Sequence, residues 1–293
     1  MYAAEFEFNG IKSGDIGYYI LSFDGVPDEG TASVGNEITF TTSKPASSDV
    51  TIFHGYSADM PLSMKFQIGK DYYGNEQIEF TREDCAFLLR WLERTDGYKY
   101  LRFFQPDYEN TYFNAKIHIE WIKYNGVIVG AELAVTCDAP YGYSNIQSCE
   151  FDLTDGDSFV VYNDSDKCGA INTEQADILI KSDGNLKITN NMESLYNLGK
   201  NVYTLISNCT ANENISISNR QIETTRAMNH TNQNIVEDYN FNYLRLINFS
   251  DQAAYDENNN YAAYDEKRVN TFTVTGCNCS IAFTYRTIRT VMP

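Results

Sequence analysis

Histidine-based metal or acid–base chemistry in this chain would have to be built on three residues, at positions 54, 118 and 230. None lies in an H-E-x-x-H frame, the spacing that sets two imidazoles on one helix face beside a general base. His118 alternates with Ile117 and Ile119, so strand periodicity turns it to the face opposite two apolar neighbours, as an ordinary surface or core histidine. Cys277 and Cys279 are spaced C-x-C without the second ligand pair that a structural zinc site needs, and read as buried thiols. Asp256, Glu257, Asp265 and Glu266 form the densest acidic cluster. Its oxygens suit calcium, but the glycine and ligand spacing of a calcium loop are missing, and a solvated loop is the plainer reading. Carboxylates are plentiful, yet no pair is framed for acid–base work. There is no G-x-S-x-G, no phosphate-cradling loop and no G-x-G-x-x-G. The expectation is a protein with no catalysis, no metal and no cofactor. Binding is another matter: Tyr255, Tyr261 and Tyr264 each offer an apolar face and a polar tip, and are candidate partner or glycan contacts, with ordinary loop tyrosines as the simpler alternative. Six N-x-[ST] sequons, at Asn163, Asn208, Asn214, Asn229, Asn248 and Asn278, read as composition in an Asn-rich chain.

The elements that must position such groups are almost all strands. The exception is the stretch 81–112. Thr81 is placed to cap a helix, with Asp84 in the capping-box position and Glu83 in the first turn. Cys85, Leu88, Leu89 and Leu92 then follow the i, i+3, i+4, i+7 stripe, widened by Phe87 and Trp91, until Asp96-Gly97 stops the helix. The charges left over, Glu83, Arg90, Glu93 and Arg94, fall on the remaining surface. Around this helix, residues 2–8 alternate as a strand that ends at Asn9-Gly10, and 98–104, 112–121 and 130–137 read as further strands, with Asn125-Gly126 as a turn. Residues 22–36, with glycines at 25, 30 and 35, read as a long loop.

Charge and composition limit the function class. With 22 basic and 40 acidic residues the formal net charge is -18, which argues against nucleic-acid binding, because counterion release needs a basic face. The opening MYAAEFEFNG has neither a basic start nor an apolar core. No apolar run approaches the roughly 18 residues of a membrane span, so a soluble chain made in the cytosol, without membrane insertion, is expected. Seven cysteines scattered through 293 residues read as mostly reduced thiols. After residue 140 charged and aromatic residues thin out and short strands recur between Asn, Gly and Asp turns, the pattern of a jelly-roll sandwich. The expected organisation is two domains, 1–140 and 141–293. Within the second, AAYDE at 253–257 recurs at 262–266; nine residues is far below a solenoid period, and it reads as an insertion loop.

Taken in order, Phe6-Glu7-Phe8-Asn9-Gly10, Leu88-Leu89-Arg90-Trp91-Leu92, Pro106-Asp107, Tyr112-Phe113-Asn114-Ala115-Lys116 and Cys137-Asp138-Ala139-Pro140-Tyr141 resemble the distal tail (Dit) proteins of long-tailed phages. Residues 176–180, the hairpin 185–190, 213–218 with 221–226, and 270–289 look like the galectin-like sandwich of those proteins. The resemblance implies a mainly β fold: an N-terminal α+β ring-forming belt domain with one main helix, followed by a C-terminal galectin-like β-sandwich. It further implies a hub in the virion, at the distal end of the phage tail, in which six copies form a ring. The tail-tube protein would sit on one face and a tail-tip hub or tail-associated lysin on the other, with receptor-binding proteins as further neighbours. Glu83, Arg90, Glu93 and Arg94 become candidate subunit contacts, and an acidic channel lining would repel passing DNA. The competing readings are a carbohydrate-binding adhesin that uses the sandwich and its loop tyrosines, and an enzyme with a sandwich accessory domain.

Overall fold

The computed structural model describes residues 4–23, 39–43, 52–57, 61–70, 78–193, 202–218, 221–225, 235–249 and 266–290. Contacts divide the chain into two units, Met1–Ser144 with Arg289–Pro293, and Asn145–Ile288.

In the first unit, β1 (Phe6–Phe8), β2 (Ile11–Lys12), β3 (Tyr18–Phe23), β4 (Thr39–Ser43), β5 (Ile52–Ser57) and β6 (Ser63–Lys70) precede the helix α1 (Arg82–Leu92). After it come β7 (Lys99–Phe103), β8 (Tyr112–Tyr124), β9 (Val127–Cys137) and β10 (Gly142–Tyr143). The main sheet is antiparallel in the order β2-β1-β7-β8-β9-β6-β3, and β4 pairs with β5 alone. Both Asn-Gly turns expected from sequence are present, with φ of 51° and 78° at Asn9 and Gly10 and 49° and 87° at Asn125 and Gly126. These are the left-handed conformations that Asn and Gly adopt at least cost. The sheet curls until its ends meet: Ile20 N–H, on edge strand β3, donates to the carbonyl of Ala4 just before β1 at 2.8 Å. Inside lie fully buried Phe6, Phe66, Phe103 and Phe113, with ring centroids 5.3 Å apart for Phe6–Phe66 and 5.5 Å for Phe66–Phe103.

The helix docks on this sheet, and its capping box is complete: Asp84 N–H donates to the Thr81 hydroxyl at 3.2 Å and Thr81 N–H to the Asp84 carboxylate at 2.7 Å. Its buried seam differs from the expected stripe. Leu88, Trp91 and Leu92 are buried, whereas Leu89 is 38% exposed. Trp91 causes the difference, because its indole N–H donates to the Phe8 carbonyl at 2.9 Å and its ring stacks on Phe6. That draws the seam toward Trp91 and leaves Leu89, at about 100° of helical rotation from Leu88, on the flank.

The second unit contains β11 (Gln147–Leu153), β12 (Ser158–Tyr162), β13 (Gly169–Asn172), β14 (Gln175–Ile180), β15 (Gly184–Asn190) and β16 (Tyr203–Cys209). It continues with β17 (Asn214–Ser218), β18 (Gln221–Thr224), β19 (Arg245–Asn248), β20 (Val269–Thr275) and β21 (Cys279–Tyr285). Two sheets, β11-β21-β14-β17-β18 and β12-β20-β15-β16, are antiparallel, and β13 and β19 form a ribbon. Strand alternation sends Ile178, Ile215, Ile281 and Phe283 of one sheet and Phe159, Leu186, Ile188 and Phe272 of the other into a common core. The fold class is the expected one, mainly β, with the helix α1 in the first unit and a sandwich after it. The last strand, β22 (Ile288–Arg289), pairs with β10, so the end of the chain returns to the main sheet of the first unit.

Asparagine has a structural use that composition did not reveal. Asn270, fully buried, accepts from Ile247 N–H and Asn190 Nδ2 and donates to the Ile247 and Arg268 carbonyls, all within 2.8–3.1 Å. Asn163 and Asn248 are buried beside it and donate to the carbonyls of Leu246 and Ser165. Buried amides that meet their partners in this way pin the ribbon to the sandwich, and two of the six sequons are thereby closed to a glycan.

Candidate functional site

The helix carries the first candidate surface. At its N-terminus the Asp84 carboxylate accepts from Lys70 Nζ at 2.6 Å, Thr81 Oγ1 at 2.8 Å and Tyr18 Oη at 2.9 Å, besides the cap bond. Burial by itself would raise this carboxyl, but the Lys70 ammonium, the Thr81 N–H and hydroxyl and the Tyr18 hydroxyl outweigh it and hold the pKa at about 2. The node joins β3, β6 and α1, so it is structural.

Of the four charges expected at a subunit contact, Glu83, Arg90 and Arg94 are exposed. Glu93 accepts from Ile119 N–H at 3.0 Å and lies 2.8 Å from His118 Nδ1, capping the edge of β8. Arg94 grips Asp96 through Nε at 3.0 Å and Nη2 at 2.7 Å, and with Lys99 holds that carboxyl well below the usual range. Two of the four are therefore engaged within the chain. His118 projects outward between buried Ile117 and Ile119, as the alternation implied.

Beyond the helix, the outward face of β7, β8 and β10 carries an aromatic surface. The inward residues Leu101, Phe103, Phe113 and Ala115 are fully buried, and the alternate positions would ordinarily be small and polar. Instead they hold Tyr100, Arg102, Tyr112, Asn114, Lys116 and Tyr143. Register aligns Glu7, Arg102, Tyr112 and Tyr143 in one row across four strands. The Arg102 guanidinium lies between Phe104, 4.9 Å away, and Tyr112, 5.5 Å away, and Lys116 Nζ sits 5.0 Å over Tyr98. Asp138 accepts from Asn114 Nδ2 at 3.0 Å and Tyr143 Oη at 3.2 Å. Burial, then the Asp138 charge, pushes the Tyr143 hydroxyl up. Gly142 fits β10 in place, since a Cβ there would overlap the Thr111 methyl and crowd the Phe113 ring. Tyr98 and Tyr100, two residues apart, with Tyr112 and Tyr143 each next to a buried position, are the sequence signal that could have marked this face.

On the sandwich, register sets Glu150, Ala282, Asp177, Ser216 and Glu223 in a row across the outer face of the five-stranded sheet. The small residues leave two shallow troughs, of about 370 and 310 Å³, on either side of Asp177, lined by Ser148, Glu150, Gln175 and Thr284 and by Asn214, Ser216, Glu223 and Thr224. These are hydrogen-bonding walls without a stacking platform on either trough's exposed face. Tyr255, Tyr261 and Tyr264, the acidic repeat around them, and His230 lie outside the described residues, as does the side chain of His54.

The thiols face inward. Cys137, Cys209, Cys277 and Cys279 are buried; burial pushes Cys137 up to about 12 and Cys279 to about 11. Among the described residues no cluster of three His, Cys, Asp or Glu could hold a metal ion. No helix of the described residues is long and apolar enough to cross a membrane.

Comparison with known proteins accounts for nearly the whole chain. Residues 1–139 match the model of a phage tail protein N-terminal domain, and residues 141–285 that of a phage tail C-terminal domain. No curated protein matches. Among solved structures the chain is similar to SPP1 Dit (gp 19.1), described as a paradigm of the hub adsorption apparatus in phages that infect Gram-positive bacteria. The TM-score is 0.57 at 12% identity, over 96% of this chain and 98% of that one.

Proposed function

Because the chain belongs to the phage tail proteins built from that pair of domains and has the fold of a distal tail protein, we propose that it is the hub of a long-tailed phage's tail tip, a hexameric ring made by its N-terminal domain that joins the tail tube to the tail-tip hub or lysin. The carrying observation is coverage: the two tail domains together span residues 1–285 almost without a gap, and the fold likeness runs over nearly all of both chains. It is a structural protein of the virion tail, made in the host cytoplasm before assembly, and it works by holding neighbours. A closed ring uses head-to-tail contacts, in which one patch meets a different patch of the next copy. The exposed charges of α1, Glu83 and Arg90, are proposed to lie in one such contact, with Glu93 and Arg94 holding the helix end in shape beside it. An acidic channel would let DNA pass without sticking.

Native mass spectrometry of the full chain, alone and with tail-tube protein, tests the reading. A six-copy species supports it. A chain that stays monomeric and binds no tail protein removes it. A glycan-array signal lost on Asp177→Ala would instead favour the adhesin, with the sandwich troughs as its site.

A further inference from the structure

We propose that Cys209 and Cys277 are a dithiol placed to close into a disulfide once the chain meets an oxidising medium, a covalent staple between the end of β16 and the β20–β21 turn. Their placement carries it. Cys209 is the last residue of β16, and its partner in register is Gly184, the first residue of β15. Cys277 lies in the turn between β20 and β21, and a Cβ built on Gly184 would come within 3.2 Å of the Cys277 Cβ. A side chain at 184 would therefore stand between the two cysteines. Glycine leaves that space open, and the Cys209 and Cys277 thiols meet across it in a hydrogen bond. Cys209 Sγ itself donates to the Ile206 carbonyl at 3.4 Å, so its lone pairs are left to accept from Cys277.

The surroundings agree with a pair that is kept in reserve. Both side chains are 2% exposed, and with fully buried Cys279 they belong to the sandwich core, so the pair is shielded from other chains. The two cysteines also sit at a strand end and in a turn, the parts of a sheet that open first. The step is thiol–disulfide exchange. One protein thiolate attacks a small disulfide of the oxidised-glutathione class, a small thiol leaves, and the second protein thiolate displaces the other small thiol from the mixed disulfide. The protein loses two S–H bonds and gains one S–S bond, while the small disulfide is reduced to two thiols. A reducing cytoplasm holds the pair open. The change of medium, and only that, rests on the virion reading, in which the chain leaves the cytoplasm at release. The bridge would close a loop of about 70 residues that contains β17 to β20, and cross-links gain most from long loops.

The test uses the full chain, purified in reductant and then incubated with oxidised glutathione in urea just below the unfolding transition, so that strand ends open. Alkylation and proteolysis without reduction follow, read by mass spectrometry. The expected product is a chain lighter by two hydrogens, with Cys209 and Cys277 in one linked peptide pair and Cys168 and Cys279 alkylated. Hydrogen exchange of the β14 and β21 amides should slow by roughly thirtyfold or more relative to the reduced chain. Dithiothreitol should reverse the gain, Cys209→Ser and Cys277→Ser should abolish it, and Cys279→Ala should keep it. Each variant is compared with its own reduced form, so that a packing loss cancels. Full alkylation at 209 and 277, a bond between Cys277 and Cys279, a link between chains, or a bridge that leaves exchange unchanged overturns the proposal. A chain that forms rings but no bridge keeps the hub reading and ends this one; a bridge in a chain that binds no tail protein does the reverse.

Discussion

Replacing Asp84 by asparagine should lower the stability of the first unit by an amount that depends on pH in a particular way. The folded carboxyl sits at about 2 against an ordinary 3.8, and its side chain is 20% exposed. That gap corresponds to about 2 kcal/mol. The sign follows from the direction of the shift: a depressed carboxyl contributes its full stabilisation above the ordinary value and loses it as pH falls through the folded one. At pH 7, Asp84→Asn removes the charge that Lys70 needs, while the amide oxygen can still accept from Thr81. The cost should be about 2 kcal/mol, and it should shrink below pH 4 and approach zero below about pH 2, where the wild type itself loses the charge. Urea titrations read by tryptophan fluorescence provide the assay. Both tryptophans, Trp91 and Trp121, lie in the first unit, so the signal is not mixed with unfolding of the sandwich. A penalty equal at pH 7 and pH 2.5 would refute the ionic account of this node, and a penalty near zero at pH 7 would mean that solvent screens it.

Three further outcomes are expected. Leu88→Ala, at a fully buried position, should cost about 2–5 kcal/mol in the same titration, whereas Leu89→Ala, 38% exposed, should cost less than about 1; equal costs would contradict the Trp91-centred seam. Asn270→Ala should destabilise the second unit by about 2–4 kcal/mol, because it strands the Ile247 amide and its neighbours; hydrogen exchange should show the Ile247 amide losing protection, and an unchanged rate would reject the anchoring role. In Ellman titration of the native chain the exposed Cys168 should react first, while Cys137, Cys209, Cys277 and Cys279 wait for denaturant; rapid reaction of all seven would show that the cores are open.

Much of the fold was legible because its signals are local. Thr81 with Asp84 specifies a helix start through two reciprocal hydrogen bonds, Asn9-Gly10 and Asn125-Gly126 specify turns through positive φ, and alternation in 112–121 and 176–180 specifies which face is wet. The strand at Gly169–Asn172 is not legible in the sequence, since four residues carry no period, and its place depends on pairing with β19 about 75 residues away. Leu89 was misplaced for a related reason: periodicity treats Leu and Trp as equal tokens, while the indole N–H bond to Phe8 rotates the seam toward Trp91.

The interaction surfaces were harder to see. Sequence marked Glu83, Arg90, Glu93 and Arg94 as surface charges, but only packing shows that Glu93 caps the β8 edge and Arg94 closes on Asp96. The tyrosine face is assembled from β7, β8 and β10: Tyr112 and Tyr143 are partners in register and the Tyr100 ring lies 6.3 Å from that of Tyr112, although the three are far apart along the chain. By itself the sequence determined the β-rich class, the helix α1 and its cap, the turns, the acidity and the resemblance to tail proteins, because each depends on near neighbours, on composition or on motif order. Which helix face is buried, which asparagines and charges are already satisfied, and which cations lie against aromatic rings were decided only by tertiary structure, since these depend on side chains brought together by strand register across long stretches of chain.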